Sequence, residues 1–219
     1  MAALYHAIRT AAMLSRRVLV GYSGGKDSAA LLDLCTKHFD QVDVFFMYLV
    51  KDLSFQEATL RHVESKYGVT VHRIPHFMLS EFLHYGTFRI EDFDCPMVTT
   101  REVYDYAREL TGTHWVACGE RIADSTVRRA MIKCTGSVDV KRGRFFPLAE
   151  WNKADVLAYN RQHRVYVGPE SERLGFSFRG LAGEDMAKIR DAYPEDYERI
   201  RRWFPLVEGG VKRYEYAGK

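Results

Sequence analysis

The sequence predicts an α/β fold, a three-layer sandwich built on a mainly parallel, twisted sheet and followed by a C-terminal helical and aromatic extension. Three observations predict it. Nearly continuous apolar runs such as Val42-Asp43-Val44-Phe45-Phe46-Met47-Tyr48 alternate with stretches of helical spacing, the pattern produced by parallel strands joined through crossover helices. At Val18-Leu19-Val20-Gly21 an apolar run feeds a glycine-bearing turn and then the helix-like Ala29-Ala30-Leu31-Leu32. A chain of 219 residues, 47% of them hydrophobic, can bury one sizeable core.

In chain order, Ala2 to Leu14 has helical spacing, Val18 to Gly21 reads as a strand, and Asp27 to His38 as the helix after the turn. Val42 to Tyr48 reads as a strand buried on both faces. Phe55 to Tyr67 is helical and stops at Gly68, a residue suited to a C-terminal cap. Val69 to Ile74 is a strand. Pro96 suits the first turn of a helix running to Leu110, and His114 to Gly119 is a further strand. Asn152 is a helix cap, with Asp155 three residues later completing a variant of the capping box. From Ala182 to Phe204 the spacing gives one or two amphipathic helices, with Pro194 at a helix start and Glu195, Asp196 and Glu198 in its first turn. Tyr193, Tyr197, Ile200, Trp203 and Phe204 form an aromatic stripe there, expected to pack on the sheet or on a second subunit.

Composition narrows the classes. No apolar run approaches the roughly 20 residues that span a bilayer, and the first residues lack the apolar core of a signal peptide, so a cytoplasmic protein without membrane contact is expected. Cys35, Cys95, Cys118 and Cys134 form no C-x-x-C pair, which argues against a zinc knuckle, a disulfide framework or an iron–sulfur cluster. His72, His76 and His84 show no metal-ligand spacing. The net charge of +3 names no partner, but Arg121, Arg128, Arg129, Lys133, Lys141, Arg142 and Arg144 face only Asp124 and Asp139 in their stretch. Such clustering can hold a polyphosphate or a nucleic-acid backbone; the reading preferred from sequence is a solvated face with one or two arginines recruited to a bound anion.

The chemistry concentrates at Tyr22-Ser23-Gly24-Gly25-Lys26-Asp27-Ser28. Backbone N–H groups of a strand-to-helix turn can converge on one anion, the helix N-terminus adds partial positive charge, and Lys26 adds a full one. The longer G-x-x-x-x-G-K-[ST] span of kinases and GTPases is not present. In open α/β sheets ligands gather outside the carboxyl ends of strands, so this turn, the end of the Val42 to Tyr48 strand and Gly119 onward are expected to meet. Beyond Gly119, Arg121 and Arg128 flank the Asp124-Ser125 pair; if the segment is helical throughout, they lie two turns apart on one face. Guanidinium groups there suit a phosphate or sulfate.

Ser23-Gly24-Gly25-Lys26-Asp27-Ser28 resembles the PP-loop of the adenine-nucleotide alpha-hydrolase superfamily. Gly119-x-Arg121, the Asp124-Ser125 pair and Arg128 resemble the downstream motif of its phosphoadenosine phosphosulfate (PAPS) reductase-like branch, which also contains the small subunit of ATP sulfurylase. Phe145-Phe146-Pro147-Leu148, Trp151 and Asp155-Val156 add a third match, so the resemblance spans roughly residues 17 to 170. It implies a nucleotide-binding domain over 1–180 and a helical extension over 181–219, packed on the same domain or on a second subunit, with a homo-oligomer or partner subunit held through the aromatic stripe. It further implies that Tyr22 and Ser23 to Ser28 hold phosphate or sulfate groups, that backbone near Phe46, Met47 and Tyr48 receives adenine, and that Gly119, Arg121 and Arg128 complete the anion site. Lys26, Asp27, Arg121 and Arg128 would be the catalytic residues, acting on ATP or PAPS, with Asp27 helping to place Mg²⁺.

The departures matter as much. Sulfonucleotide reductases use a cysteine near the C-terminus, yet here the last cysteine is Cys134 and the tail from Trp203 to Tyr216 has no thiol. The expected activity is therefore cleavage of ATP between the alpha- and beta-phosphates to adenylylate an acceptor, tRNA or DNA being candidates. Three alternatives stay open: a reductase without the usual cysteine, a tRNA or DNA thiolation enzyme, and a nucleotide-binding subunit inactive alone. For thiolation, Cys95 in Asp92-Phe93-Asp94-Cys95-Pro96 would sit just before a helix start that lowers its pKa. Cys118 is expected to be buried packing.

Overall fold

The structure, a computed structural model, describes residues 5–168, 173–174, 178 and 180–217. Its elements run α1 His6–Leu14, β1 Arg17–Tyr22, α2 Lys26–His38, β2 Gln41–Tyr48, α3 Ser54–Tyr67, β3 Val71–Pro75, α4 Phe77–His84, α5 Thr100–Thr111, β4 Val116–Ala117, α6 Thr126–Thr135, β5 Val138–Asp139, a 3-10 turn Val140–Arg142, β6 Arg144–Phe145, α7 Lys153–Gln162, α8 Gly183–Ala192, α9 Pro194–Trp203 and α10 Val207–Ala217. The strands form one six-stranded sheet in the order β3-β2-β1-β4-β6-β5. Parallel pairing joins β1 to β2 and β4, and β4 to β6; β5 alone pairs antiparallel, with β6. The mainly parallel α/β expectation is met.

The chain divides into two compact units, Met1–Phe46, His62–His72 and Ala107–Val167 in the first and Met47–Arg61, Arg73–Tyr106 and Gly168–Lys219 in the second. In the first, β1 is buried at Val18, Leu19 and Val20 because it runs through the middle of a sheet, which explains its apolar composition without alternation. Leu31 and Leu32 of α2, Phe45 of β2 and Phe145 of β6 are equally buried. Each such side chain contributes about 2 kcal/mol on leaving water. In the second unit, Leu53, Phe55, Met186, Ile189, Ile200 and Phe204 belong to one core cluster. There Asp196, 2% exposed, accepts hydrogen bonds from the Ser54 backbone N–H at 2.9 Å and hydroxyl at 2.6 Å, fixing the start of α3.

Several boundaries moved. The expected strand at His114 to Gly119 shortens to Val116–Ala117, and the helix foreseen from Pro96 begins at Thr100. Helices α4 and α10 were not expected from the sequence, and the strands β5 and β6, two residues each, are too short for any period to show. Residues Ala2 to Leu4 of the first expected helix lie outside the described residues. Asn152 and Asp155 form the capping box, Ser125 caps α6 by accepting from the Arg128 N–H, and Pro194 opens α9. The C-terminal stripe divides: Tyr197, Ile200 and Phe204 are buried within the second unit, whereas Trp203 remains 40% exposed.

Candidate functional site

Strand β1 ends at Tyr22, and the chain turns through Gly24 at φ 77°, a left-handed conformation that glycine adopts without Cβ strain. Gly25 is the N-cap of α2 in extended conformation, and no side chain caps the helix. The first N–H groups of α2 are therefore open to an anion, with the positive end of the helix dipole behind them. The loop is braced from within: the Ser23 hydroxyl donates to Ser28 Oγ at 3.1 Å, and Ser28 Oγ donates to the Gly25 carbonyl at 2.9 Å. It is also braced from α7, whose Asn160 side-chain amide donates to the Lys26 carbonyl at 3.0 Å. About two helical turns deeper, Asp33 accepts from Lys37 Nζ at 2.6 Å, from Tyr159 at 2.7 Å and from Tyr67 at 3.2 Å, tying α2 to α7 and to the end of α3.

A line of alternating charge leads out of the loop. Lys26 Nζ lies 2.5 Å from Asp27 Oδ2, and Asp27 Oδ1 lies 3.3 Å from Arg121 Nε without hydrogen-bond geometry. Arg121 Nη2 then donates to Asp124 Oδ1 at 2.6 Å, and Arg128 Nη1 to Asp124 Oδ2 at 2.8 Å. Burial works to raise the Asp124 carboxyl, but the hydrogen bonds from Arg121 and the charges of Arg121 and Arg128 outweigh it and hold the group below the usual carboxylate range. Arg121 is only 7% exposed, and its buried Nη1 finds no hydrogen-bond partner among the described residues. A buried guanidinium nitrogen without an acceptor costs free energy that an anionic oxygen would recover.

The structure corrects the expected route by which the two arginines converge. They do not share a helix face, because α6 starts only at Thr126; Asp124, lying before the helix, holds both instead. Its spacing, three residues after Arg121 and four before Arg128, is the signal that could have shown this. Phe46 pairs in register with Tyr22 at the adjoining strand ends, and Met47 and Tyr48 continue β2. The Tyr48 carbonyl accepts from the His76 N–H at 2.9 Å, and burial, then the charge of Asp52, pushes the Tyr48 hydroxyl up. Gly119 follows β4, and a Cβ there would reach Leu31 Cδ2 only at 3.8 Å, so packing within the chain leaves room for a side chain. Cys95 is not at a helix start, since α5 begins at Thr100. Cys118 is buried, as expected. The bracing residues Asp33 and Asn160 carry no sequence motif and were not foreseen.

The profile of the phosphoadenosine phosphosulfate reductase domain matches residues 17–169, from the start of β1 past the end of α7. The chain belongs to this family. No curated protein matches the sequence. Among solved structures, a PAPS reductase from Candida auris, in a phosphate complex, is similar at 20% identity with a TM-score of 0.55, covering 81% of this chain and 87% of that one. A U34-tRNA thiolase from Methanococcus maripaludis with its 4Fe-4S cluster is similar at 14% identity and TM-score 0.54, over 94% of this chain and 78% of that one. An NH3-dependent NAD synthetase from Campylobacter jejuni, in complex with nitrate, is similar at 15% and 0.53, over 100% and 94%. These likenesses establish a shared fold. No helix among the described residues of this PAPS reductase-domain protein is long and apolar enough to cross a membrane.

Proposed function

We propose that this protein is an adenine-nucleotide enzyme that cleaves ATP between its alpha- and beta-phosphates and transfers the adenylyl group to an acceptor. The observation that carries the reading is Arg121: a nearly buried guanidinium whose Nη1 has no hydrogen-bond partner among the described residues, linked through Asp27 to Lys26 at the uncapped N-terminus of α2. Ser23 to Ser28 would cradle the phosphates, and backbone at Phe46 to Tyr48 would receive adenine. The acceptor supplies the nucleophile: its bond to the alpha-phosphorus forms as the bridging bond to the beta-phosphate breaks, and the electron pair leaves with pyrophosphate. Lys26, Arg121 and Arg128 offset the charge that accumulates, so positioning and electrostatics supply the rate.

Asp27 is the one candidate donor for Mg²⁺: its Oδ1 is buried and accepts no hydrogen bond from the described residues, and Mg²⁺ is commonly held by one or two carboxylates together with substrate phosphates and water, but Arg121 Nε lies 3.3 Å from that oxygen and would have to turn to the phosphates for the ion to bind. Bound there, the ion would neutralise phosphate charge; the other residues act as described. The PAPS reductase and U34-tRNA thiolase among the similar folds make sulfite release and tRNA the outcomes to measure.

The test incubates purified protein with Mg-ATP, with PAPS plus thioredoxin, and with tRNA or DNA, while pyrophosphate, AMP and sulfite are followed. Acceptor-dependent pyrophosphate, lost in Lys26→Ala, is expected. Sulfite release would replace the reading with reduction, and nucleotide binding without turnover would replace it with a binding subunit.

A further inference from the structure

In the second unit a cleft of about 270 Å³ opens where α8, α9 and α10 meet, with Pro194, Tyr197 and Val211 among its walls. Its rim balances charge. Arg190 pairs with Glu215 at 2.8 Å, Arg201 with Glu198 at 2.9 Å and Lys212 with Glu208 at 3.2 Å, three cations against three carboxylates. Two of the lining donors lack an acceptor. Tyr197 is 5% exposed, yet its hydroxyl forms no hydrogen bond with any described residue. Burial, then the charge of Glu208, pushes that hydroxyl up, so it keeps its proton and stands as a donor. Arg201 Nη1 donates to both Glu198 oxygens, at 2.9 and 3.1 Å, whereas its Nη2 lies 3.5 Å from Glu208 Oε2 and forms no hydrogen bond. A nearly buried hydroxyl without an acceptor costs free energy, and its place on a cleft wall lets a ligand oxygen recover it.

We propose that this cleft binds a small zwitterion, a free α-amino acid. The ligand carboxylate accepts from the Tyr197 hydroxyl and from Arg201 Nη2. A bare anion is disfavoured there, because Glu208 lies 3.5 Å from Arg201 and close enough to Tyr197 for its charge to act on the hydroxyl. An ammonium group on the same molecule answers Glu208. The Lys212–Glu208 pair, largely exposed on both sides, is held weakly and gives way to it. A rim of three cations and three carboxylates likewise suits a ligand with separated poles and no net charge. The volume equals about nine waters at about 30 Å³ each, room for an amino acid with a short side chain, to which Pro194 and Val211 offer an apolar wall. An ion-pair ladder that served only to join three helices would not account for a nearly buried hydroxyl left without a partner on the cleft wall. The site lies within α8, α9 and α10 and does not depend on the adenylylation reading.

The experiment titrates the full chain with glycine and valine by calorimetry, alongside acetate, methylammonium and phosphate, and follows the melting temperature in each. Saturable binding of valine, at least as tight as that of glycine, is expected, with a melting temperature that rises with valine concentration. Acetate and methylammonium, each carrying one pole of the zwitterion, should bind at least about tenfold more weakly. Tyr197→Phe should weaken valine binding about tenfold, the loss of one hydrogen bond to a charged group. The same change should leave the ligand-free melting temperature where it was, because the hydroxyl has no partner among the described residues. Glu208→Gln should weaken valine binding and strengthen acetate binding, opposite shifts that a merely structural role for the ion pairs does not produce. No saturable binding of either amino acid, valine binding undiminished in Tyr197→Phe, or acetate or phosphate bound as tightly as valine would overturn the proposal.

Discussion

Replacing Asp124 with asparagine tests the charge line from which the site is built. Asp124 accepts from the Arg121 side chain at 2.6 Å and its backbone N–H at 3.1 Å, and from Arg128 at 2.8 Å. Arg121 is nearly buried, so weakening its charge-assisted bonds should cost about 2 kcal/mol. The Arg128 pair, whose arginine side chain is 48% exposed, adds well under about 1 kcal/mol because water screens it. At about 2–4 °C per kcal/mol for a chain of this size, the variant should melt about 4–8 °C lower at pH 7. Tryptophan fluorescence can follow this, since Trp115 and Trp151 lie in the same unit as Asp124. The folded-state pKa of Asp124 is depressed, so its stabilisation is complete above the unfolded value, about 4, and disappears as pH falls through the folded value. The difference between parent and variant should be constant from about pH 6 to 8 and shrink below about 4. A variant as stable as the parent at pH 7, or a difference that widens on acidification, would refute the reasoning.

Three further outcomes are expected. Gly24→Ala places a Cβ at φ 77° and should cost about 1–2 kcal/mol while weakening nucleotide affinity in calorimetry, because the loop must relax away from its cradle shape. Asp33→Ala leaves Lys37, Tyr67 and Tyr159 without their shared acceptor and should lower urea-unfolding stability by about 3 kcal/mol. Asn160→Ala removes the brace on the Lys26 carbonyl and should raise the KM for ATP more than it lowers kcat, since it acts on loop position.

The elements with strong periodicity or a cap were legible. Strand β2 was legible as a strand, although only Val44, Phe45 and Phe46 of it are buried, and α7 announces itself through Asn152 and Asp155. Strands β5 and β6 span two residues each, too short for any period to appear. At the site, the loop was legible as a contiguous motif. Asp124 was visible only as a motif letter, and its role as the bridge between two arginines depended on where α6 begins. Asp33 and Asn160 act on the loop from within α2 and from α7, positions that no local pattern marks.

By itself the sequence determined the parallel α/β architecture, through apolar runs alternating with helical stretches, and the family, through its motifs; it also marked Ser23 to Ser28, glycines and charge in a strand-to-helix turn, as the place where phosphate is expected. Tertiary structure alone decided that Arg121 is buried with a nitrogen left unpartnered among the described residues, that Asp124 rather than a shared helix face joins it to Arg128, and that α6 stands almost wholly in solvent. Burial and pairing depend on what other segments supply, Asp27 from one side of the line and Asp124 from the other. Residue order fixes which charges exist; only the folded chain fixes which of them remain unanswered.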